Sequence, residues 1–192
     1  MGQPAIFLDR DGTLNREVDY LSRPEQLELL PGVGAAMRDL RDAGYLLIVV
    51  TNQSGVARGI LSEATLAEIH AKLRDLLAAE GVRLDHLAYC PHHPSIGMPG
   101  YRVNCPCRKP EPGMLLDAAR RLDLDLGSSW MIGDSVRDLD AGRAAGTGGV
   151  LVRTGKGAQQ EALLAEGQHA AADLAEAASW ILAREAPPTA SP

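Results

Sequence analysis

Two aspartates, Asp9 and Asp11, are separated by one residue and follow a short apolar run, Ala5 to Leu8. Such a run is typical of a buried parallel strand whose carboxyl end delivers Asp9 into a crevice. Two carboxylates this close repel each other unless a cation lies between them or one of them holds a proton. The pair therefore predicts a cation-assisted site with a carboxylate nucleophile, or else a solvated turn after a strand.

Three further polar groups stand in comparable positions. Thr51 and Asp134 each follow an apolar strand-like segment, and Lys109 precedes a predicted helix. Taken singly, Thr51 could be a strand-end residue, Lys109 a solvated surface lysine and Asp134 a helix N-cap. Because the carboxyl ends of parallel strands meet at one edge of a sheet, their joint occurrence favours one shared site.

Together these groups have the chemistry needed to hydrolyse a phosphate ester, which requires a nucleophile, neutralisation of phosphoryl charge and a proton for the leaving alkoxide. Asp9 would attack phosphorus, while Asp11 would protonate the leaving oxygen and then activate water against the aspartyl phosphate. Thr51 would donate its hydroxyl, and Lys109 would supply a compact cation for the phosphoryl oxygens. The expected ligands of a catalytic Mg²⁺ are Asp9, Asp11 and Asp134.

Four stretches of the sequence resemble the motifs of the haloacid dehalogenase superfamily of phosphotransferases. The superfamily's reaction passes through an aspartyl phosphate, which is the role that the resemblance implies for Asp9. Asp138 follows Asp134 by one helical turn and could orient Lys109 or the metal ligands, or be an ordinary exposed acid. The four stretches are Asp9-x-Asp11-Gly12-Thr13, Thr51-Asn52, Lys109-Pro110 and Gly133-Asp134-x-x-x-Asp138.

A second metal site is indicated by the cysteines, all of which lie between positions 90 and 107 in a segment without periodicity. Three thiolates and one imidazole make a complete tetrahedral zinc set with no position open for water, and closed sites are structural. Unliganded cysteines with a surface histidine would not explain how so long an insert holds its shape. His93 is a competing imidazole. Cys90-x-His92 matches the pattern of the phosphatase family named below, so the resemblance implies Cys90, His92, Cys105 and Cys107 as the zinc ligands.

This zinc loop, together with Thr51 to Gly55 and Cys107 to Met114, resembles the heptose bisphosphate phosphatases, and histidinol-phosphate phosphatases share most of it. The resemblance implies Mg²⁺-dependent removal of the 7-phosphate of D-glycero-D-manno-heptose 1,7-bisphosphate, in ADP/GDP-heptose synthesis for bacterial cell-surface polysaccharide. Arg108 would recognise the second, non-reacting phosphate. The alternatives are a histidinol-phosphate phosphatase and a non-catalytic, zinc-stabilised binding module. The implied substrate contacts are Glu17, Val18, Asp19, Tyr20, Thr51, Asn52, Gln53, Ser54, Arg108 and Lys109.

The elements that must position these groups alternate between apolar runs and helical periodicity. Five strands are expected, ending near residues 8, 50, 90, 132 and 152, with helices over 32–43, 62–80, 112–122, 135–145, 159–166 and 173–184. This order predicts an α/β fold, a Rossmann-like three-layer sandwich with a central, mostly parallel sheet. The gap between the first strand and Thr51 is too short for a large cap domain, so loops should select a small substrate.

Length and composition set the remaining expectations. With 192 residues the chain can form one domain, predicted over 1–185 with the zinc loop at about 90–107 and a disordered tail at 186–192. The formal charge of -6 argues against a nucleic-acid or membrane partner. The N-terminus lacks a signal peptide, and the longest apolar run is too short to cross a bilayer. A cytosolic protein, monomeric and acting on a small sugar bisphosphate, is expected.

Overall fold

The computed structural model describes residues 2–165 and 167–185. Strands and α-helices alternate along this part of the chain. The strands are β1 (Ala5–Leu8), β2 (Leu46–Asn52), β3 (His86–Cys90), β4 (Trp130–Gly133), β5 (Gly148–Val152) and β6 (His169–Ala171). The helices are α1 (Val33–Asp42), α2 (Ser54–Ala57), α3 (Glu63–Ala79), α4 (Gly113–Leu122), α5 (Val136–Ala145), α6 (Gly157–Gln160) and α7 (Leu174–Glu185).

The six strands form one parallel sheet in the order β3-β2-β1-β4-β5-β6. The register pairs Leu8 with Val49 of β2 on one side and with Ile132 of β4 on the other. The strand order reverses on the two sides of β1, and ligands bind α/β sheets at such a switch point. Asp9 therefore leaves β1 in the crevice between the ends of its two neighbours.

Helices cover both faces of the sheet. In β1, Ile6 and Leu8 belong to one buried apolar cluster, whereas Phe7 belongs to the cluster on the opposite face. This alternation places side chains from α1, α3 and α7 over one face and side chains from α4 and α5 over the other. The predicted three-layer α/β sandwich is confirmed, and burial of both faces is why the strands read as continuous apolar runs.

The structure differs from the sequence prediction in a few elements. β6 was not predicted, because His169, Ala170 and Ala171 have little strand propensity and form a strand through pairing with β5. β2 runs two residues further than expected and includes Thr51. In place of the predicted helix over 159–166, α6 is followed by a 3-10 turn, Glu161–Leu163. The predicted tail, 186–192, lies outside the described residues.

Two long connections stand at the carboxyl edge of the sheet. The first joins β1 to α1 and contains one 3-10 turn, Pro24–Gln26, with backbone bonds from Arg16 N to Glu28 O at 2.9 Å and from Leu30 N to Leu14 O at 2.9 Å. The second joins β3 to α4 and contains no helix or strand among its described residues, 91–112. Neither connection forms a large cap domain, as predicted. No helix in the described part of the chain could span a membrane.

Candidate active site

The strand ends enclose a cavity of about 380 Å³. Every residue that the sequence analysis assigned to catalysis, to magnesium binding or to substrate contact lies on its wall. These residues come from four loops separated by as much as 125 positions in sequence. Parallel strands bring them together because the loops at their carboxyl ends share one edge of the sheet. The wall also includes other polar residues that were not assigned to the cavity from the sequence, among them Arg58, Arg137, Lys156 and Gln160.

Lys109 is the buried cation at the floor of this cavity. Its Nζ lies 2.8 Å from Oδ1 of Asp9, 2.8 Å from Oδ1 of Asp138 and 2.7 Å from the carbonyl oxygen of Val50. The three ammonium protons thus meet three acceptors. Burial acts to lower the pKa of Lys109, but Asp138 and Asp9 outweigh it, and the net pKa is raised. Lys109 therefore stays charged although only 2% of it is exposed, which excludes a solvated surface lysine.

Asn52 fixes the backbone of Lys109. Its Nδ2 donates to the carbonyl oxygen of Lys109 at 3.0 Å, and its Oδ1 accepts from the Lys109 amide at 3.1 Å. Both ends of the carboxamide are thereby used to join the end of β2 to the insert before α4. This pair of bonds is the local reason that a lysine distant in sequence reaches Asp9.

Asp138 lies on the first turn of α5 and is 1% exposed. One carboxylate oxygen, Oδ2, accepts from the Ser135 amide at 3.1 Å and satisfies a free N–H at the helix start. The other oxygen pairs with Lys109. Burial raises the pKa of Asp138 to about 6, and Lys109 opposes that rise. Asp138 is therefore not an ordinary exposed acid. Its contact with Lys109 supports the alternative expected from the sequence, that Asp138 orients the Lys109 side chain.

Asp134 stands at the end of β4 with little compensating charge. Its Oδ2 accepts from the Lys156 amide at 2.8 Å. Burial, followed by the negative charge of Asp9, raises the pKa of Asp134 to about 7. Gly12 and Gly155, both with positive φ, approach so closely that a Cβ on either would lie 2.2 Å from Oδ2 of Asp134. The chain thus packs tightly around a carboxylate that lacks a cation partner among the described side chains.

A divalent cation fits the carboxylates around Asp9. Ligand oxygens of Asp9, Asp134 and Asp138 all lie within 4.8 Å of one another. Carboxylate oxygens are the ligands that Mg²⁺ prefers, and a cation would relieve the repulsion that raises the pKa of Asp134. This group also contains Asp138, and Asp11, the third ligand expected from the sequence, stays a prediction.

The carboxylate of Asp11 is held by neutral and cationic neighbours. Arg10 binds it in a bidentate manner, with Nε 3.2 Å from Oδ1 and Nη2 2.7 Å from Oδ2. Asn15 Nδ2 donates to Oδ1 at 3.0 Å, and Gln53 Nε2 donates to Oδ2 at 2.9 Å. Burial acts to raise the pKa of Asp11, but Arg10 and these amides outweigh it, and the net pKa is lowered. The sequence analysis did not select Arg10, which is 1% exposed.

Gln53 also orients Thr51. Its Nε2 lies 2.9 Å from Thr51 Oγ1, which therefore accepts a hydrogen bond. The hydroxyl proton of Thr51 is left free to donate toward the cavity, and Thr51 itself is 1% exposed. The Gln53 carboxamide thus positions both Asp11, the proposed acid/base, and Thr51, the proposed hydroxyl donor.

The four expected zinc ligands converge where β3 meets the insert that follows it, with Cys90 at the end of the strand and the other three in the insert. Their ligand atoms all lie within 4.8 Å of one another. His92 Nδ1 is 3.7 Å from Sγ of Cys90 and 3.8 Å from Sγ of Cys107. Tetrahedral zinc with its usual bond lengths would hold a sulfur and a nitrogen about 3.6 Å apart. A ring nitrogen donates only one hydrogen bond, so its placement between two sulfurs fits metal ligation better than hydrogen bonding.

The neighbouring imidazole, His93, is used differently. Its Nδ1 accepts from the backbone amides of Ser95 at 3.2 Å and Ile96 at 3.1 Å. It is absent from the cysteine cluster as the structure describes it. The backbone carbonyl oxygen of His92, by contrast, accepts a hydrogen bond from Arg108 Nη1 at 2.9 Å. The loop that would bind a metal therefore directly supports the arginine expected to read the second phosphate.

The mouth of the cavity carries the cations that the sequence analysis missed. Lys156 Nζ lies 3.3 Å from Oε2 of Glu17, and the guanidinium of Arg58 lies 5.6 Å from the ring centroid of Tyr20. Burial, then the charge of Asp11, raises the pKa of Glu17, and Lys156 opposes that rise. Lys156 follows a predicted strand and could have been found by the rule that selected Asp134. Arg58 and Gln160 lie on or beside short helices and carried no such signal.

Comparison with known proteins identifies the family. A protein from Photorhabdus laumondii, named D-glycero-beta-D-manno-heptose-1,7-bisphosphate 7-phosphatase, is 48% identical over 162 residues, which are 84% of this chain and 86% of that protein. The chain belongs to this heptose bisphosphate phosphatase family. The family member of the same name from Escherichia coli K12 is 44% identical over 180 residues, covering 93% of this chain and 88% of its own. A family model described as HAD-hydrolase-like matches residues 106–177.

Solved structures of the heptose bisphosphate phosphatase family share the fold. The crystal structure of D,D-heptose 1,7-bisphosphate phosphatase from B. bronchiseptica, complexed with magnesium and phosphate, is 41% identical with a TM-score of 0.85, covering 94% of this chain and 99% of that one. The enzyme from Burkholderia thailandensis is 34% identical with a TM-score of 0.71, covering 94% and 99%. The family resemblance stated from the sequence is confirmed.

Proposed function

We propose that this protein removes the 7-phosphate of D-glycero-D-manno-heptose 1,7-bisphosphate. The observation that carries the proposal is the contact of the Asp9 carboxylate with buried Lys109, beside Asp134, in a chain 48% identical to a relative named for this activity. Family membership supports the substrate, and the cavity supplies the chemistry. The two relatives described above are named for the heptose bisphosphate, and the charged, polar cavity wall favours catalysis over a binding module.

Asp9 is the proposed nucleophile. Its side chain is 13% exposed and opens toward the cavity, so an oxygen can reach phosphorus while Lys109 steadies the carboxylate. The Asp9–phosphorus bond forms as the bond to the leaving alkoxide breaks, which gives an aspartyl phosphate. Water then attacks phosphorus and regenerates Asp9. Lys109 and the Thr51 hydroxyl are placed to stabilise charge on the phosphoryl oxygens.

Asp11 is the proposed proton carrier. In the ligand-free arrangement Arg10 favours its ionised form, which is the form that accepts a proton from the attacking water. The leaving alkoxide needs the protonated form. A phosphoryl dianion bound next to Asp11 raises its pKa, because like charges disfavour ionisation. Substrate binding thus promotes the protonated state that the first step requires.

Two metals are proposed. Asp9 and Asp134 would hold Mg²⁺, while Asp138 remains paired with Lys109. When bound, Mg²⁺ would neutralise carboxylate and phosphoryl charge, the chemistry that such hard cations supply. Cys90, His92, Cys105 and Cys107 would hold a structural Zn²⁺. The zinc loop would set Arg108, whose guanidinium suits recognition of the non-reacting phosphate.

A phosphate-release assay with purified protein tests the function. Heptose bisphosphate, heptose monophosphates and histidinol phosphate are compared at equal concentrations with Mg²⁺. The expected result is the highest kcat/KM for the bisphosphate, and activity reduced about 1,000-fold or more in Asp9→Asn. A preference for histidinol phosphate, or turnover that survives Asp9→Asn, contradicts the proposal. The cytosolic location, the monomeric state and the domain bounds 1–185 stay predictions from the sequence.

A further inference from the structure

The side chain of Lys156 lies on the β4–β5 side of the cavity. It belongs to the turn after β5, whereas Arg58 and Arg108 follow β2 and β3 on the other side of β1. Its ammonium lies 3.3 Å from Oε2 of Glu17, in the loop after β1. The ion pair thus joins two loops that flank the mouth of the cavity. Both side chains line that cavity.

This ion pair contributes little to overall stability. The Lys156 side chain is 53% exposed and that of Glu17 is 22% exposed, and exposed pairs contribute at most about 1 kcal/mol. The ion pair instead affects the position of the Glu17 side chain. Glu17 faces the negative charges of Asp11 and Asp9, and Lys156 is the cation that acts on it. Without Lys156, repulsion from those aspartates would move the Glu17 carboxylate away from the cavity.

A carboxylate at the mouth of a phosphatase cavity repels phosphate and accepts hydrogen bonds from hydroxyl groups. Glu17 is therefore suited to the polyol part of a phosphorylated sugar, and its partner Lys156 follows β5, on the side of β1 away from Arg58 and Arg108. We propose that Lys156 is a positioning residue, which holds Glu17 in the orientation that recognises sugar hydroxyl groups. This inference rests on the proposed function.

The turn that carries Lys156 is itself fixed by the catalytic centre. The Lys156 amide donates to Asp134 Oδ2 at 2.8 Å, and Thr154 Oγ1 donates to the Gly12 carbonyl oxygen at 2.6 Å. The backbone of the turn therefore keeps its place when the Lys156 side chain is changed. A side-chain substitution tests the contact with Glu17 while leaving the backbone bond to Asp134 intact.

Steady-state kinetics on heptose bisphosphate test the proposal with four variants: Lys156→Met, Lys156→Arg, Glu17→Gln and the double variant Glu17→Gln/Lys156→Met. We expect Lys156→Met to raise KM about 5- to 10-fold with kcat within about twofold, because it weakens recognition more than chemistry. Lys156→Arg should restore KM to within about twofold, since it keeps the charge. The double variant should raise KM no further than Glu17→Gln alone.

Lys72→Met is the matched control, because Lys72 is exposed on α3 and makes no ion pair among the described residues. The KM and kcat of Lys72→Met should match those of the wild type. The Mg²⁺-induced rise in melting temperature of Lys156→Met should equal that of the wild type. If that rise is lost, the substitution disturbs Asp134 and the assignment to Glu17 is wrong.

Other outcomes also overturn the positioning role. Single-variant effects that multiply in the double variant would show that Lys156 contacts substrate independently, and a KM equal to that of the wild type would show no role in recognition. A failure of the proposed function looks different. In that case the wild-type protein itself releases no phosphate from the bisphosphate, whereas failure of this inference leaves wild-type turnover intact.

Discussion

The ammonium of Lys109 lies 2.8 Å from Oδ1 of Asp138, a carboxylate whose side chain is only 2% exposed. The same carboxylate accepts a hydrogen bond from the Ser135 amide at the start of α5. Asp138 therefore caps the start of α5 and fixes the Lys109 ammonium, which contacts Asp9, the proposed nucleophile. Because both partners are buried, removing one charge leaves the other uncompensated.

Asp138→Asn should separate these two tasks. Asparagine keeps an oxygen for the Ser135 amide but loses the charge that opposes Lys109. We expect kcat to fall about 100-fold, because Lys109 loses its fixed orientation. The free energy of unfolding should fall by about 3 kcal/mol, as for other broken buried pairs. Asp140→Asn on the exposed face of α5 is the control, and equal effects in both variants would contradict the role of Asp138.

Metal binding should depend on pH through Asp134. Its pKa is raised to about 7, so a proton competes with Mg²⁺ below that value. The apparent Mg²⁺ affinity should fall as the pH falls through 7 and level off above it, which calorimetric titrations between pH 5.5 and 8 would measure. An affinity that does not change over this range would show that Asp134 is not a ligand.

The stability of the metal-free protein should change in the opposite sense. A carboxyl pKa raised from 3.8 means that the folded state binds more protons than the unfolded state between those two values. Without Mg²⁺, the contribution of Asp134 to stability is therefore favourable at low pH and is lost as the pH rises toward 7. Thermal unfolding with and without Mg²⁺ should show its largest difference above pH 7.

Adjacent histidines provide a matched test of the zinc loop. His92→Ala should lower zinc content well below one atom per chain and expose the insert to proteolysis, because it removes one ligand of the set. His93→Ala should keep the zinc, since its ring accepts backbone amides instead. Elemental analysis and limited proteolysis check both. Equal zinc content in the two variants would contradict the ligand set.

Cys107→Ser extends that test to function. We expect loss of the metal, weaker binding of the bisphosphate and little change in the unfolding of the sheet, because three of the four ligands lie in the insert and Cys90, at the end of β3, stays buried in the core. The route to substrate runs through the hydrogen bond from Arg108 to the His92 carbonyl oxygen. A collapse of the whole fold in Cys107→Ser, seen by circular dichroism, would show that the cluster stabilises more than the insert.

His70 should make the protein sensitive to acid. Burial lowers the pKa of His70 to about 3, and its Nε2 has no partner among the described residues. Its neutral form is favoured when folded, so its contribution to stability is present above pH 6.5 and is lost as the pH falls toward 3. Between pH 7 and pH 5 this loss amounts to about 2 kcal/mol.

His70→Leu should flatten this dependence, because an apolar side chain has no proton to bind. Urea unfolding at pH 5 and pH 7 measures the change, with the wild type as the reference. If the two proteins lose equal stability between those pH values, His70 does not titrate as described.

Most of the order of the elements and most of the cavity wall could be predicted from the amino-acid sequence. Apolar runs that end in polar residues identified the strands, and the rule that parallel strands share one carboxyl edge predicted that Asp9, Thr51 and Asp134 would meet. The cysteine spacing likewise predicted a cluster that the structure forms. These predictions succeed because they depend on local pattern and on strand direction alone.

The charge pairs of the site, by contrast, could not be predicted before the folded structure was known. Arg10 binds Asp11, Asp138 joins the carboxylates near Asp9, and Lys156 reaches Glu17 across the cavity mouth. Spacing in sequence does not report side-chain direction, burial or the distance between loops that come from different strands. Those quantities set both the pKa values and the partners, so the electrostatics of the site follow from packing rather than from pattern.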